Sequence, residues 1–272
     1  MIRAGVTSTV RRGLTVLAVL AAAIPAGAGT ENTGPHAYAC TDRAAGLARL
    51  SLPLTRMHRL LAVRQPVTIM ALGSSSTAGA GASSDAASYP KRLQADLRRR
   101  FPGVDITVVN RGVNGEEAAD MLRRFDLAAL SDVPDVVLWQ LGTNMVLRDD
   151  PSFAETSRLI TEGLMRMKAL GADVVLIDPQ FAPRVLARRN DAERMVQVIA
   201  AASRNRGVDL FPRFQVMREW HEAEAIPFDA FLFPDLLHMN DWGYACFARL
   251  LGAAMAEAAT RPVTSVGALP AP

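Results

Sequence analysis

The sequence predicts an α/β fold, a doubly wound parallel sheet in a three-layer α/β/α arrangement. Three observations carry this prediction. Short, near-continuous apolar runs recur along the chain, amphipathic stretches of helical period separate them, and no internal repeat replaces the alternation. With 272 residues, 50% of them hydrophobic and 21% charged, the chain has material for one sizeable core and no composition that would keep it disordered.

The elements follow in order. Runs 67–72, 106–110, 136–141 and 174–177 read as strands buried on both faces, and 208–211 is a weaker fifth. Ile160, Leu164 and Met167 share one helix face, as do Met195, Val198, Ile199 and Ala202. Asp191 is expected to cap the second of these helices and Gly207 to end it. Tyr244, Phe247, Leu251 and Ala254 stripe a last helix, capped by Asn240 or Asp241. Right-handed crossovers leave few topologies, and the flavodoxin-like order leads. In such sheets ligands bind beyond the carboxyl ends of the strands.

The two ends of the chain read differently. Arg11 and Arg12 precede an apolar run over 14–24, and Ala26-Gly27-Ala28 supplies a small-x-small cleavage pattern. Residues 1–28 are therefore expected to be a signal peptide, a retained N-terminal anchor being the other reading. The expected destination is periplasmic or extracellular. The run is shorter than the roughly 20 residues of a membrane span, and no later run is long enough. Residues 29–65 are expected to form an N-terminal extension whose 43–61 stretch has helical periodicity and packs on the outside. The main domain is expected over 66–260 and a flexible tail over 261–272.

The formal net charge is +3. Arg3, Arg11 and Arg12 lie in the leader, which has no acidic residue, so the remainder is near neutral. Nothing in that balance asks for nucleic acid. Cys40 and Cys246 are the two cysteines. In an oxidising compartment they can pair; two separate half-buried thiols are the equal alternative. No Cys or His cluster has metal-ligand spacing.

Four short motifs sit where the topology wants chemistry. The first strand runs into Gly73-Ser74-Ser75-Ser76-Thr77, where a glycine lets a hydroxyl be presented at the sheet rim. Such a serine needs a base to become a nucleophile. Asn110-Arg111-Gly112-Val113-Asn114-Gly115 follows the second strand, and its glycines allow a backbone N–H to approach a bound group. Gly142-Thr143-Asn144 ends the third strand, where an Asn amide can donate to a developing negative charge. Asp235-Leu236-Leu237-His238 precedes the last helix, at a spacing that lets the carboxylate reach the imidazole Nδ1–H. Each motif alone is more often an ordinary turn than a site. Their joint order changes that.

Together these blocks resemble the SGNH (GDSL-like) hydrolase family, and the resemblance covers about 67–259. It implies Ser75 as nucleophile, His238 as base and Asp235 as its orienting carboxylate. The oxyanion donors it implies are the backbone of Ser75, Gly115 rather than Gly112, and the Asn144 side chain. No cofactor or metal is required by this chemistry. Three positions depart from the family pattern: Ser74 stands for the usual Asp, Met145 for the Asp that commonly follows the Asn, and Met239 for the Pro that often follows the His. Ser74 or Ser76 could compete for the role of Ser75, but only Ser75 has the family offset from Gly73.

The activity implied is that of an exported serine esterase, acting on short acyl esters of a polysaccharide. Lysophospholipase or thioesterase action on longer chains is an alternative, as are a polysaccharide O-acetyltransferase and a non-catalytic glycan-binding module. His36 and His58 lie outside the sheet region, His221 is expected on a solvated helix face, and Trp139 in the strand core. The Asp178-Pro179-Gln180-Phe181 turn is read as a plain loop, with pocket lining as its other reading.

Overall fold

The computed structural model describes residues 38–41 and 43–262, together with Met1 and Gly5. The chain divides into two units, Met1–Thr33 and Gly34–Pro272, and every element below lies in the second. The expected signal peptide past those two residues, His36 and the tail beyond 262 lie outside the described residues.

Five parallel strands form one sheet: β1 (Val67–Gly73), β2 (Ile106–Gly112), β3 (Val136–Gln140), β4 (Asp173–Ile177) and β5 (Asp209–Phe211). Their order is β2-β1-β3-β4-β5, the doubly wound arrangement expected. The register pairs Gly73 with Gly112 and Gln140 with Ile177, so the strands end near one line. Every residue of β3 is buried, as a central strand covered on both faces requires.

The helices are α1 (Thr55–Ala62), α2 (Ser75–Ala78), α3 (Tyr89–Arg100), α4 (Ala118–Asp132), α5 (Thr143–Val146), α6 (Phe153–Ala169), α7 (Pro183–Leu186), α8 (Arg189–Arg206), α9 (Arg213–Arg218), α10 (Phe228–Phe231) and α11 (Asp241–Thr260). One packed group is α1, α3 and α11, and the other is α4, α6 and α8. The predicted stripes hold: Ile160, Leu164, Met167, Met195 and Ile199 are buried on α6 and α8, while Val198 is half-buried. Trp139 is fully buried, and Gly163 lets α6 approach it so closely that a Cβ there would lie 2.4 Å from the indole.

One capping expectation differs, and one choice is resolved. Asp191 lies inside the first turn of α8, which begins at Arg189, so it does not cap the helix. Gly207 does end it, in the left-handed region at φ 57°. Asn240, not Asp241, caps α11, its side chain accepting from the Gly243 N–H at 3.0 Å. Asp241 instead accepts from the Ser83 backbone N–H and hydroxyl.

The stretch over 43–61 does not stay outside. Ala44, Ala48, Leu50, Leu54 and Met57 are buried in the common core. Three carboxylates at the amino ends of the strands hold it there. Asp135 accepts from Arg56 Nε, Asp173 from the Arg56 and Met57 N–H groups, and Asp209 from those of Ser51 and Leu52. The two N–H groups facing Asp173 belong to the first turn of α1 and have no partner within the helix. The opposite, carboxyl end of the sheet is left for the site.

Cys40 and Cys246 form a disulfide with Cα atoms 5.4 Å apart, which settles the choice left open by the sequence. It ties the segment before α1 to the second turn of α11.

Candidate active site

The serine turn is built by close approach. A Cβ at Gly73 would lie 2.1 Å from Thr77 Oγ1, so the end of β1 folds directly onto α2. Ser74 and Ser76 are buried, whereas Ser75 opens partly to solvent at the start of α2. The Ser74 backbone N–H and hydroxyl both donate to Gln140 Oε1, at 2.9 and 3.0 Å, and Thr77 Oγ1 donates to the same oxygen at 3.2 Å. Two of the three serines are thus withdrawn from the surface, and the turn is fastened to β3.

Ser75 Oγ lies 2.7 Å from His238 Nε2, and His238 Nδ1 lies 2.6 Å from Asp235 Oδ2. The other Asp235 oxygen accepts from the backbone N–H groups of Leu237 and His238, at 3.0 and 2.9 Å. Partial burial pushes the Asp235 carboxyl up, but the hydrogen bonds from the His238 ring and the two N–H groups outweigh it, and the carboxyl ends below its ordinary value. The carboxylate therefore faces the ring in its charged form. Leu236 adopts φ 59° inside this turn, unusual for a branched side chain. That conformation folds the chain tightly enough for Asp235 to reach His238. A bridge between Leu232 and Met239 and the Phe233 N–H to His238 carbonyl bond (2.8 Å) close the loop.

The two glycines of the second motif have different work. A Cβ on Gly112 would lie 2.1 Å from the Ala78 nitrogen, so Gly112 allows β2 to press against α2. Gly115 has φ 79°, is exposed, and has nothing within 4 Å of a built Cβ. Neither its backbone N–H nor that of Ser75 donates a hydrogen bond among the described residues. The loop is braced by Arg124, which donates to the Arg111 carbonyl at 2.7 Å and pairs with Glu116 at 2.5 Å. Asn144 Nδ2 donates to the Glu116 carbonyl at 2.9 Å. One of its two amide hydrogens is so engaged, and the other is free to donate elsewhere.

All five expected site residues thus come to the carboxyl ends of β1, β2 and β3 and the turn before α11. The gap between β1 and β3 is the switch point of the strand order, where such sheets bind ligands. A cavity of about 120 Å³ adjoins it, lined by Ser74, Gln140, Leu141, Asn144, Met145 and Leu159 among others. Its lining includes neither Ser75 nor His238, so it lies beside the reactive pair. Ser75 and His238 are themselves half-buried, while Val113, Phe233 and Leu236, from the loops beside them, present apolar side chains at 44%, 45% and 48% exposure. Among the described residues, no group of three or more His, Cys, Asp or Glu is placed to hold a metal ion.

Beneath the pair lies a second layer of polar residues, of which the sequence marked only the 178–181 turn; that turn is buried and does not line the cavity beside the pair. Gln140, Gln180 and Arg213 are all buried there, and Gln140 and Arg213 sit in or beside an apolar run with no motif to mark them. His221 is not on a solvated face: its ring stacks on Phe228 at 3.8 Å and its Nδ1 meets the Ile226 carbonyl at 3.0 Å. It lies in a single π-helical turn, Glu219–Ala223, which a helical-wheel reading misplaces.

Known proteins agree with this architecture. A two-domain esterase active on acetylated mannans superposes with a TM-score of 0.68 at 20% identity, covering 84% of this chain and 60% of that one. A catalytic mutant of an acetylxylan esterase from Geobacillus stearothermophilus gives a TM-score of 0.61 at 17% identity, covering 70% of this chain and 94% of that one. At such identities the likeness is one of fold. An arylesterase from Vibrio mimicus is 29% identical over 127 residues, 47% of this chain and 61% of that protein. The match thus spans less than two thirds of that relative's length. The model of the non-GDSL lipase-like family matches residues 39–261, a description that agrees with Ser74 standing where the GDSL pattern has Asp. This chain belongs to the non-GDSL lipase-like family, and the SGNH-type resemblance of its motifs holds.

Proposed function

We propose that the chain is an esterase in which Ser75 attacks the carbonyl carbon of an ester, with His238 as general base and Asp235 as its orienting partner. The observation that carries this reading is the unbroken path from Ser75 Oγ through the His238 ring to Asp235, with contacts of 2.7 and 2.6 Å. His238 takes the serine proton as the Oγ–carbon bond forms. The resulting oxyanion is met by the backbone N–H groups of Ser75 and Gly115 and by the second amide hydrogen of Asn144. His238 then gives its proton to the departing alkoxide. A water activated by the same ring breaks the acyl-enzyme and releases the acid. Each step uses groups of this chain alone.

The substrate class proposed is a short acyl ester, acetyl above all, carried by a polysaccharide. Its support is the partial exposure of Ser75 at the sheet rim and the named activities of the mannan and xylan esterases that share the fold. The exposed apolar rim of Val113, Phe233 and Leu236 favours a second reading, hydrolysis of longer acyl chains. Rates ranked against acyl length on a p-nitrophenyl series, beside acetate release from acetylated mannan and xylan, separate the two. Export through the leader over 1–28 completes the proposal, and the disulfide, a bond that persists in oxidising compartments, supports it. No helix among the described residues is long and apolar enough to cross a membrane.

Ser75→Ala is expected to abolish hydrolysis of p-nitrophenyl acetate while circular dichroism stays unchanged. Turnover retained in that variant refutes the nucleophile.

A further inference from the structure

Beneath the site a buried amide joins two loops that are distant in the sequence. Gln180 follows β4 and is 2% exposed. Its Oε1 accepts from the Thr143 hydroxyl at 2.8 Å and from Arg213 Nη2 at 2.9 Å, and its Nε2 donates to the Leu237 carbonyl at 3.3 Å. Thr143 directly precedes Asn144, and Leu237 directly precedes His238. One side chain therefore touches the neighbour of the amide donor and the neighbour of the base.

Arg213 braces that amide. It is fully buried, and its Nε donates to the Asp178 carbonyl at 2.9 Å, locking the end of β5 to the end of β4. A buried guanidinium is costly. Arg213 Nη1 and Asp178 Oδ2 are buried without a protein partner among the described residues, so the cluster is kept despite incomplete pairing. An apolar core at this spot would pack without such cost. The polar cluster instead supplies directional bonds to both loops.

We infer that Gln180, braced by Arg213, is a positioning residue that holds the Asn144 loop and the His238 loop in one register. The inference rests on the esterase reading of Ser75, His238 and Asn144. A site must be held within about 0.5 Å of its working geometry, and a shift of about 1 Å costs on the order of 10²-fold in rate. Gln180 is buried and reaches the site only through Thr143 and Leu237, so substrate does not touch it and its loss acts on kcat.

The test is steady-state hydrolysis of p-nitrophenyl acetate by Gln180→Met, which keeps side-chain length and removes the amide. The expected result is a fall in kcat on the order of 10²-fold with KM unchanged, and fluorophosphonate labelling of Ser75 slowed in step. Thr143→Val removes one arm only and is expected to lower kcat by about five-fold. Adding Thr143→Val to Gln180→Met is expected to cost nothing more, because Thr143 acts through Gln180. A folded Gln180→Met with wild-type kcat, or one that raises KM alone, overturns the inference. If Gln180→Met does not fold, Thr143→Val decides, and unchanged kcat in it overturns the inference equally. Wild-type protein that takes no fluorophosphonate refutes the esterase reading beneath it. A labelled wild type matched by Gln180→Met refutes the positioning role alone.

Discussion

At Asp235 and Asp178 the same side chain meets opposite environments. Asp235 sits at the rim, where hydrogen bonds overcome partial burial and keep its carboxyl below the ordinary value. Its folded value lies below its unfolded one, so its contribution to stability is present above the ordinary carboxylate range and is lost as pH falls through that range. Asp235→Asn is expected to remove this acid dependence in thermal melts. It should also lower kcat by on the order of 10³–10⁴-fold, because the ring loses the partner that fixes its tautomer. Asp178 is fully buried, and burial raises it from 3.8 to about 7, against the Phe214 N–H bond and the Arg213 charge. Here the sign reverses. Its folded value is above its unfolded one, so stability is complete below about 4 and declines as pH rises to about 7. Asp178→Asn keeps the acceptor for Phe214 and is expected to flatten that decline, as measured by denaturant midpoints between pH 4 and 8.

The short elements that carry the site are placed by contacts the sequence shows only in part. Strand ends, glycines and the spacing of Asp235 and His238 were legible because they follow from local chemistry: an apolar run stops, a turn begins, and a carboxylate three residues away reaches a ring. The division of labour between Gly112 and Gly115 follows the family offset, and the structure adds the physical contrast. Gly112→Ala forces a Cβ to 2.1 Å from the Ala78 backbone. It is expected to destabilise the fold by about 1–3 kcal/mol in chemical denaturation. Gly115→Ala meets open space and strains only φ 79°, at about 1–2 kcal/mol. Its expected effect falls more on kcat, through a displaced N–H. A Gly115→Ala variant with full kcat would remove Gly115 from the oxyanion site. The bonds made by Gln140, Gln180 and Arg213 were illegible for a different reason, although the turn holding Gln180 had pocket lining as its second reading. Gln140 ends β3, Gln180 lies in the turn after β4 and Arg213 opens α9, and the meaning of each depends on partners 33 to 66 residues away.

On the scale of the whole molecule, the five-strand order follows from alternation of strands and helices with right-handed crossovers, and it was predictable. The burial of the 43–61 stretch was not, because its anchors are carboxylates at the far ends of β3, β4 and β5. The disulfide closes a separation of 206 residues, and cross-links over long loops restrict the unfolded chain most. Reduction, or Cys246→Ser, is expected to cost about 2–5 kcal/mol in denaturant unfolding.

The account turns on one oxygen atom. Reaction with a fluorophosphonate followed by peptide mass mapping locates the reactive nucleophile directly. The account predicts one phosphonyl group, on the peptide containing Ser75 and at that residue, lost in Ser75→Ala and slowed in Asp235→Asn. A label on Ser74, Ser76 or another residue, or no label on active protein, contradicts it.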